Sequence, residues 1–480
     1  MSANVISDAP LSTSVRPPFG SFAVFAPLIA RSSRLAVTNR TSVARHPVAK
    51  LAVAGAIGCT IASFYAPPAA AQAAESIIVT PVLPLGYDAY LEHSVSQQGD
   101  GEWAALGVPV ESFVLFPEVT VGQSVTTNTY SSGANAKASA IEILSPKLVA
   151  RSDWSRHALV LNASGTFKRF VGQSRRNEDV WDLSATSDLD VTGELRLEFI
   201  ARASQLALNR FSGEVQLDAA SVVTIRQDQL SASATYRSGH ARSVVTAEYF
   251  NFRYGQLLLT DGTTRDQSNL NHDAKRLTGQ FEYSFTPDLT LFTQATYADF
   301  SFDSVIIPTT QNASSSGTRV IAGGILSIAG LGRATVSAGY AWRDYDRNGL
   351  KSVSGPSAEA RLEFFPSPLT TVTIDFGRRL ADARLIDSSA FNMSYVKLRL
   401  DHALLRNLKL AAEGNVARQS YLNSQQVSRI QNALFSATYL ASRRFELSGA
   451  ISYSTRRSTP VSTNSNVDEL VGGVAATFKL

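Results

Sequence analysis

The stretch Arg276-Leu277-Thr278-Gly279-Gln280-Phe281-Glu282-Tyr283-Ser284-Phe285 decides the fold. Leu277, Phe281, Tyr283 and Phe285 hold the odd positions with Gly279 between them, and Arg276, Thr278, Gln280, Glu282 and Ser284 hold the even ones. A period of two describes a β-strand, whose successive side chains leave on opposite sides. One face wants water or ion pairs, and the other wants an apolar medium. Thr286-Pro287-Asp288 then breaks the pattern with turn chemistry.

The same alternation recurs on either side. Trp181, Leu183, Ala185, Leu189 and Val191 alternate with Asp182, Ser184, Thr186, Asp188 and Asp190; Leu195, Leu197, Phe199, Ala201 and Ala203 alternate with Arg196, Glu198, Ile200, Arg202 and Ser204. Ala334, Val336, Ala338, Tyr340 and Trp342 repeat it, as do Val396, Leu398 and Leu400 against Lys397, Arg399 and Asp401. The pattern predicts about 18 strands: 113–128, 140–152, 157–170, 180–191, 194–208, 222–237, 241–254, 272–286, 289–302, 318–328, 333–343, 357–365, 369–382, 392–404, 408–419, 429–440, 444–456 and 467–480. Most are longer than a soluble sandwich needs and suit a tilted strand that crosses a bilayer.

The connections sort into two kinds. After even-numbered strands they are tight, as at Asp153-Trp154-Ser155-Arg156, Thr192-Gly193, Ser238-Gly239-His240, Pro287-Asp288, Arg406-Asn407 and Ser442-Arg443. After odd-numbered strands they are long and polar, as at 131–139, 209–221, 255–271, 303–317, 344–356 and 457–466. Short turns on one rim and long loops on the other predict an all-β, up-and-down antiparallel transmembrane barrel. Its apolar face would meet lipid, its polar face an aqueous lumen too wide for side chains to fill. Trp154, Trp181, Phe285, Trp342, Tyr439 and Tyr453 are candidates for interfacial aromatic girdles.

Composition narrows the function. The 480 residues hold one Cys, so disulfide frameworks and Cys-rich metal centres are excluded. Six of the 44 basic residues but one of the 40 acidic fall in residues 1–71, leaving 38 against 39, so the body offers no nucleic-acid footprint. Residues 1–73 read as a leader: Arg45, His46 and Lys50 precede an apolar h-region at about 51–64, and a small-residue cleavage site follows around Ala71 and Ala73. Cys59 lies within that h-region and reads as a small apolar residue rather than a lipid-attachment site; the 44 residues upstream of the signal point to a true start further along the chain. Residues 74–111 read as a flexible periplasmic arm, with a plug or a handle for a partner as the alternative, and 112–480 as the barrel.

Two stretches resemble a known family. Leu106-Gly107-Val108-Pro109-Val110-Glu111-Ser112-Phe113-Val114-Leu115-Phe116-Pro117-Glu118-Val119, and Leu144-Ser145-Pro146-Lys147-Leu148 through Arg151-Ser152-Asp153-Trp154-Ser155-Arg156-His157-Ala158-Leu159, resemble the first strand and first periplasmic hairpin of the "putative β-barrel porin 2" family of Gram-negative outer-membrane proteins. Members often accompany exopolysaccharide operons, so the resemblance implies a conduit for exopolysaccharide working beside an export apparatus. A general diffusion porin for small hydrophilic solutes is the alternative, with Ala322-Gly323-Gly324 in a candidate smooth wall for oligomer contacts; a structural or adhesive barrel is a further one. One departure from outer-membrane barrels is that the last strand ends on Leu480, two places after Phe478, where the insertion machinery usually reads a terminal aromatic.

No catalytic constellation, metal site or cofactor site is read. His46, His93, His157, His240, His272 and His402 are scattered, and His157, His240 and His272 fall at turns or loop ends, where a solvated imidazole is expected. Asn271-His272-Asp273 lacks a matching serine for a lipid-facing hydrolase. Asp188 and Asp190 share a strand face as wet acids near the periplasmic rim. Parity assigns Asp182, Asp188, Arg196, Glu198, Arg202, Arg276, Glu282, Lys397, Arg399, Asp401, Lys409 and Glu413 to the lumen wall, with signs mixed enough for crossed ion pairs. Loops 255–271 and 303–317 are expected to gate the outer mouth.

Overall fold

Lipid supplies no hydrogen-bond partner, and each unpaired backbone group there costs several kcal/mol, so a sheet in a membrane has to close. The computed structural model describes residues 84–86, 94–96 and 100–480, apart from 134, 209–210, 212–218, 260, 304–313, 329–330, 347–350, 386–387, 423–424 and 460–465, together with the paired dipeptides Ile29–Ala30 and Ala52–Val53. The expected leader, its h-region and its cleavage site otherwise lie outside the described residues.

Eighteen strands form one closed antiparallel barrel. They are β1 Phe113–Thr126, β2 Ser139–Ser152, β3 Ala158–Phe170, β4 Glu178–Asp190, β5 Leu195–Ala207, β6 Thr224–Ser238, β7 Ala241–Tyr254, β8 His272–Thr286 and β9 Leu289–Phe302. The chain continues through β10 Ser315–Ile328, β11 Gly332–Tyr345, β12 Val353–Ser367, β13 Thr370–Leu385, β14 Ser388–Leu405, β15 Leu408–Tyr421, β16 Val427–Leu440, β17 Phe445–Thr459 and β18 Val467–Lys479. Each strand pairs with its sequence neighbour, and β18 closes on β1 through Val471↔Thr126 to Lys479↔Glu118. A short strand, Val108–Val110, folds back on the start of β1 through a turn at Glu111, whose φ of 50° is unusual for a residue with a Cβ. That hairpin pairs a stretch of β1 running past the end of β18.

Tight turns follow the even-numbered strands. Gly239, at φ +55°, makes the turn from β6 to β7. Thr192 Oγ1 accepts the Leu195 N–H at 3.0 Å in the turn from β4 to β5. The long connections all follow odd-numbered strands, with one exception. From β13 to β14 the ladder runs on to Leu385↔Ser388, so the expected loop is an extended hairpin instead.

Large apolar side chains such as Val121, Leu183, Phe199, Leu230, Leu277, Val336 and Val474 stand exposed on the outer wall, the surface that lipid would cover. Trp154, Phe285, Tyr439, Phe445 and Phe478 gather toward the short-turn rim, and Tyr340, Trp342 and Tyr453 toward the other. The alternate positions point inward. Arg343 on β11 stacks 4.4 Å above the Phe300 ring on β9, and Arg319 on β10 lies 4.0 Å from Glu359 on β12. Side chains skip a strand in this way only on the concave side.

One glycine shows how tightly the inner wall is built. A Cβ at Gly377 would lie 2.2 Å from the Tyr395 ring, which covers it from the opposite residue of β14. Tyr395 in turn carries the Arg379 guanidinium at 5.4 Å.

Candidate functional site: the lumen and its two ends

All twelve residues assigned to the wall by parity fall on the inward face. Asp182 takes the Arg202 guanidinium and a hydrogen bond from Asn162 Nδ2 at 3.2 Å. Asp188 pairs with Arg196 at 2.6 Å, and Glu198 stands opposite Asp188 in the β4–β5 register. Arg276 bonds Glu248 at 2.6 Å, and Glu282 takes Arg242 at 2.5 Å. Lys397 reaches Glu413 at 3.0 Å, while Arg399 bridges Asp401 at 2.7 Å and Glu413 at 3.3 Å. Parity reasoning passed over equal partners: Glu248, Arg242, the Arg333–Glu363 pair, and Arg361 with Asp375 at 3.6 Å. Their strands mix apolar residues into both faces, as Val244 and Val245 do beside Arg242, which blurs the alternation.

Along β10–β15 the charged groups of the inner wall are covered. Lys397 and Arg319 are each only 1% exposed, so neighbouring side chains cover charged groups that a wide bore would leave wet. Crossed ion pairs and aromatic rings pack side by side over this part of the wall. The wall from β16 to β1 is different in kind. Ser428, Ser436, Thr438, Ser448, Ser452, Ser454, Thr477 and Thr120 give it short hydroxyls, with Thr120 and Thr477 hydrogen-bonded across the seam at 2.9 Å.

At the inner end the segment before the barrel is seated on the wall, where a free linker was expected. Leu85 N–H donates to Gln280 Oε1 at 2.7 Å, and Arg242 Nη2 donates to the Leu85 carbonyl at 2.6 Å. Val95 N–H donates to Thr371 Oγ1 at 2.9 Å. Asp100 then receives Lys409 Nζ at Oδ1, 3.1 Å, and Lys479 Nζ at Oδ2, 3.2 Å. Arg443 Nε donates to the Glu102 carbonyl at 2.6 Å. Every wall partner lies near a short turn, so the arm tracks round the periplasmic mouth from β7–β8 past β13 to β15 and β18.

The outer end is apolar. Phe250 and Phe252 of β7 pack in one cluster with Leu208, Ala219 and Val223 of the β5–β6 connection, Leu257 and Leu259 of the β7–β8 connection, Phe300, Val353, Leu380 and Ala390. The cluster joins β7–β9 to the extended β13–β14 hairpin on the far side of the lumen. Of the two loops expected to gate, 255–271 contributes and 304–313 lies outside the described residues; the β5–β6 connection contributes more. His272, expected to be solvated, is 3% exposed and lies between the Phe252 and Phe302 rings, with centroids 4.7 and 4.6 Å away. Its Nδ1–H donates to the Leu270 carbonyl at 2.8 Å, so it points into the lumen rather than toward lipid. Above the membrane, hydrogen bonds from Thr263 hold the Asp261 carboxyl below the usual range, and those from Ser268 do the same for Asp266. Among the described residues no group of acids and histidines could hold a metal ion, and no helix is long and apolar enough to span a membrane.

A closed barrel with an apolar outside, a polar inside and sorted loops is the setting for the family comparison. The model described as "Putative beta-barrel porin 2" matches residues 101–478. The chain belongs to that family. It is therefore an outer-membrane β-barrel of the porin type, embedded in the lipid of a Gram-negative outer membrane, and its family and fold are those of channels. No curated protein matches the sequence. Among solved structures the porin is similar to OccK2 (OpdF) of Pseudomonas aeruginosa in complex with glucuronate, at 12% identity and TM-score 0.44, covering 77% of this chain and 99% of that one. OpdK of Pseudomonas aeruginosa with vanillate matches at 10% and 0.43, covering 76% and 99%. OccAB3 of Acinetobacter baumannii matches at 9% and 0.44, covering 77% and 100%.

Proposed function

We propose that this barrel is a passive pore for small hydrophilic solutes, the reading that stood as the alternative to exopolysaccharide export. The observation that carries it is an inner wall whose charges are paired and largely covered, with Asp100 of the arm bonded across its inner end, since a small solute needs no continuous wide bore. The twelve wall charges would act chiefly as a cross-braced lining that holds the polar face in shape. No bond would be made or broken; the pore offers water and fixed dipoles in place of hydrocarbon. The hydroxyl arc from β16 to β1, buried in the resting barrel, would line the path as the solute uncovers it, because weak, equal hydrogen bonds let a solute enter and leave.

Export through a signal in residues 1–73 and insertion by machinery that reads Phe478 belong to the same reading. Exopolysaccharide export beside a periplasmic apparatus remains the second reading, and the same hydroxyl arc favours it. Proteoliposome swelling in isotonic arabinose, glucose and raffinose tests the first; swelling should slow as the solute grows. A clean deletion strain should keep its exported polysaccharide and lose solute uptake. Loss of polymer with uptake unchanged would overturn the small-solute reading.

A further inference from the structure

We propose that Lys409 and Lys479 form a carboxylate-binding site at the periplasmic mouth, which the chain's own Asp100 fills and from which a carboxylate-bearing solute displaces it. The proposal rests on the pore reading and names the chemistry of one class of solute. Three observations carry it.

First, one carboxylate is shared between two ammonium groups, one per oxygen, at 3.1 and 3.2 Å. That is the arrangement in which an anion gains two charge-assisted hydrogen bonds at once. Second, the lysines come from β15 and β18, which flank the hydroxyl arc. Lys409 is opposite Thr438, Thr438 is opposite Ser448, and the β17–β18 ladder carries the row on to Ala475, two inward places from Lys479. Asp100 therefore lies across the inner end of that arc. The Thr438 and Ser448 hydroxyls beneath it are buried without a hydrogen-bond partner. Third, Asp100 belongs to a segment outside the barrel ladder, so it can leave the two lysines without breaking a strand pairing. Glu446 accepts from Lys479 at 3.1 Å and keeps that lysine aimed when Asp100 leaves.

A solute carboxylate that takes the place of Asp100 would meet both lysines, and its hydroxyls would meet Thr438 and Ser448. The arm would then be free to swing toward the periplasm. Binding and release of the arm would be the same event.

The test uses the full chain in lipid vesicles, with Cys59 replaced by serine and a spin label on Glu102→Cys, whose side chain is exposed. Gluconate is the probe, glucose its uncharged match, and sodium chloride the ionic-strength control. The label should be immobile at rest and become mobile with gluconate but not with glucose or matched salt. Asp100→Asn should free the label without any solute and tighten gluconate binding, because the internal competitor is gone. Lys409→Gln and Lys479→Gln should each weaken gluconate binding about tenfold, as loss of a charge-assisted hydrogen bond implies. A label that stays immobile in Asp100→Asn, equal responses to gluconate and salt, or full gluconate binding in the lysine variants would each overturn the proposal. Heat-modifiable gel migration confirms that each variant is a folded barrel. Swelling of the same vesicles reads the pore separately: a label that responds in vesicles that never swell keeps the site and removes the pore reading.

Discussion

The two ends of the lumen are built from opposite chemistry. The outer end is held by an apolar cluster that joins β7–β9 to the β13–β14 hairpin, with Phe252 fully buried. The inner end is held by charge, through one aspartate and two lysines on a segment outside the barrel ladder. Apolar burial is insensitive to salt and has no single breakable bond. An ionic latch yields to an ion of the same kind. The difference teaches that the periplasmic end is the one a solute can address chemically, while the outer end yields only to loop motion or to lost packing.

The largest effect is expected when both ends are broken together. Two constrictions in series each limit flow, so Phe252→Ala and Asp100→Asn should each leave planar-bilayer conductance within about twofold of the parent, whereas the double variant should rise about tenfold. Additive single effects would show that only one end restricts flow. Phe252→Ala should also lower stability by about 3–5 kcal/mol, the range for an emptied aromatic site, as read from urea unfolding in detergent.

Salt sharpens the contrast next. Hydrogen exchange at residues 94–103 should quicken as sodium chloride rises and the Debye length shrinks toward about 3 Å at 1 M. Exchange at 250–259 should hold constant. Equal responses would mean that the arm is not held by charge.

A smaller effect should appear in the outer loop with pH. The carboxyls of Asp261 and Asp266 sit below their ordinary value when the loop is folded, through bonds from Thr263 and Ser268. Their contribution is fully present above the unfolded aspartate value of about 3.9 and lost as pH falls through the lower folded value. The protection of amides 261–268, taken against their intrinsic exchange rates, should therefore fall only in acid, with the apolar cluster unmoved; a fall at neutral pH would break the assignment.

The smallest effect is a control. Arg457 and Asp468 form the same kind of pair at 2.8 Å on the outside of the wall, about half exposed. Arg457→Ala should change stability by about 0.5 kcal/mol or less, in contrast to the inner latch. A loss of the size expected for a buried pair would erase the distinction.

How much of this was legible follows from where water and lipid meet the chain. Within the bilayer, two unlike media force alternation, so Arg276 to Phe285 could be read directly and the strand centres follow. Beyond the outer leaflet both faces are polar or packed on loops, and strand starts slip. β12 begins at Val353 rather than 357, β10 at Ser315 rather than 318, and β14 at Ser388 rather than 392. The apolar cluster left a trace that parity reasoning missed. On β7 the outward apolar series Val245, Ala247, Tyr249 gives way to Asn251 and Arg253, while Phe250 and Phe252 take over the inward face. That reversal marks the membrane boundary. The arm left no trace, since Ser94-Val95-Ser96 and Asp100 have no period and their partners lie 276 to 379 residues away.

The latch also bears on the order in which the molecule is made. Asp100 emerges before any barrel strand, yet its two lysines come from β15 and β18, the latter the last of the barrel strands. Both are brought within reach of one side chain only when β18 has paired with β17 and completed the β15–β18 ladder. The arm can thus dock only after the last barrel strand is in place, and not on a sheet that still lacks β18. A protease that nicks the undocked arm would then distinguish barrels that hold their last strand from those still waiting for it.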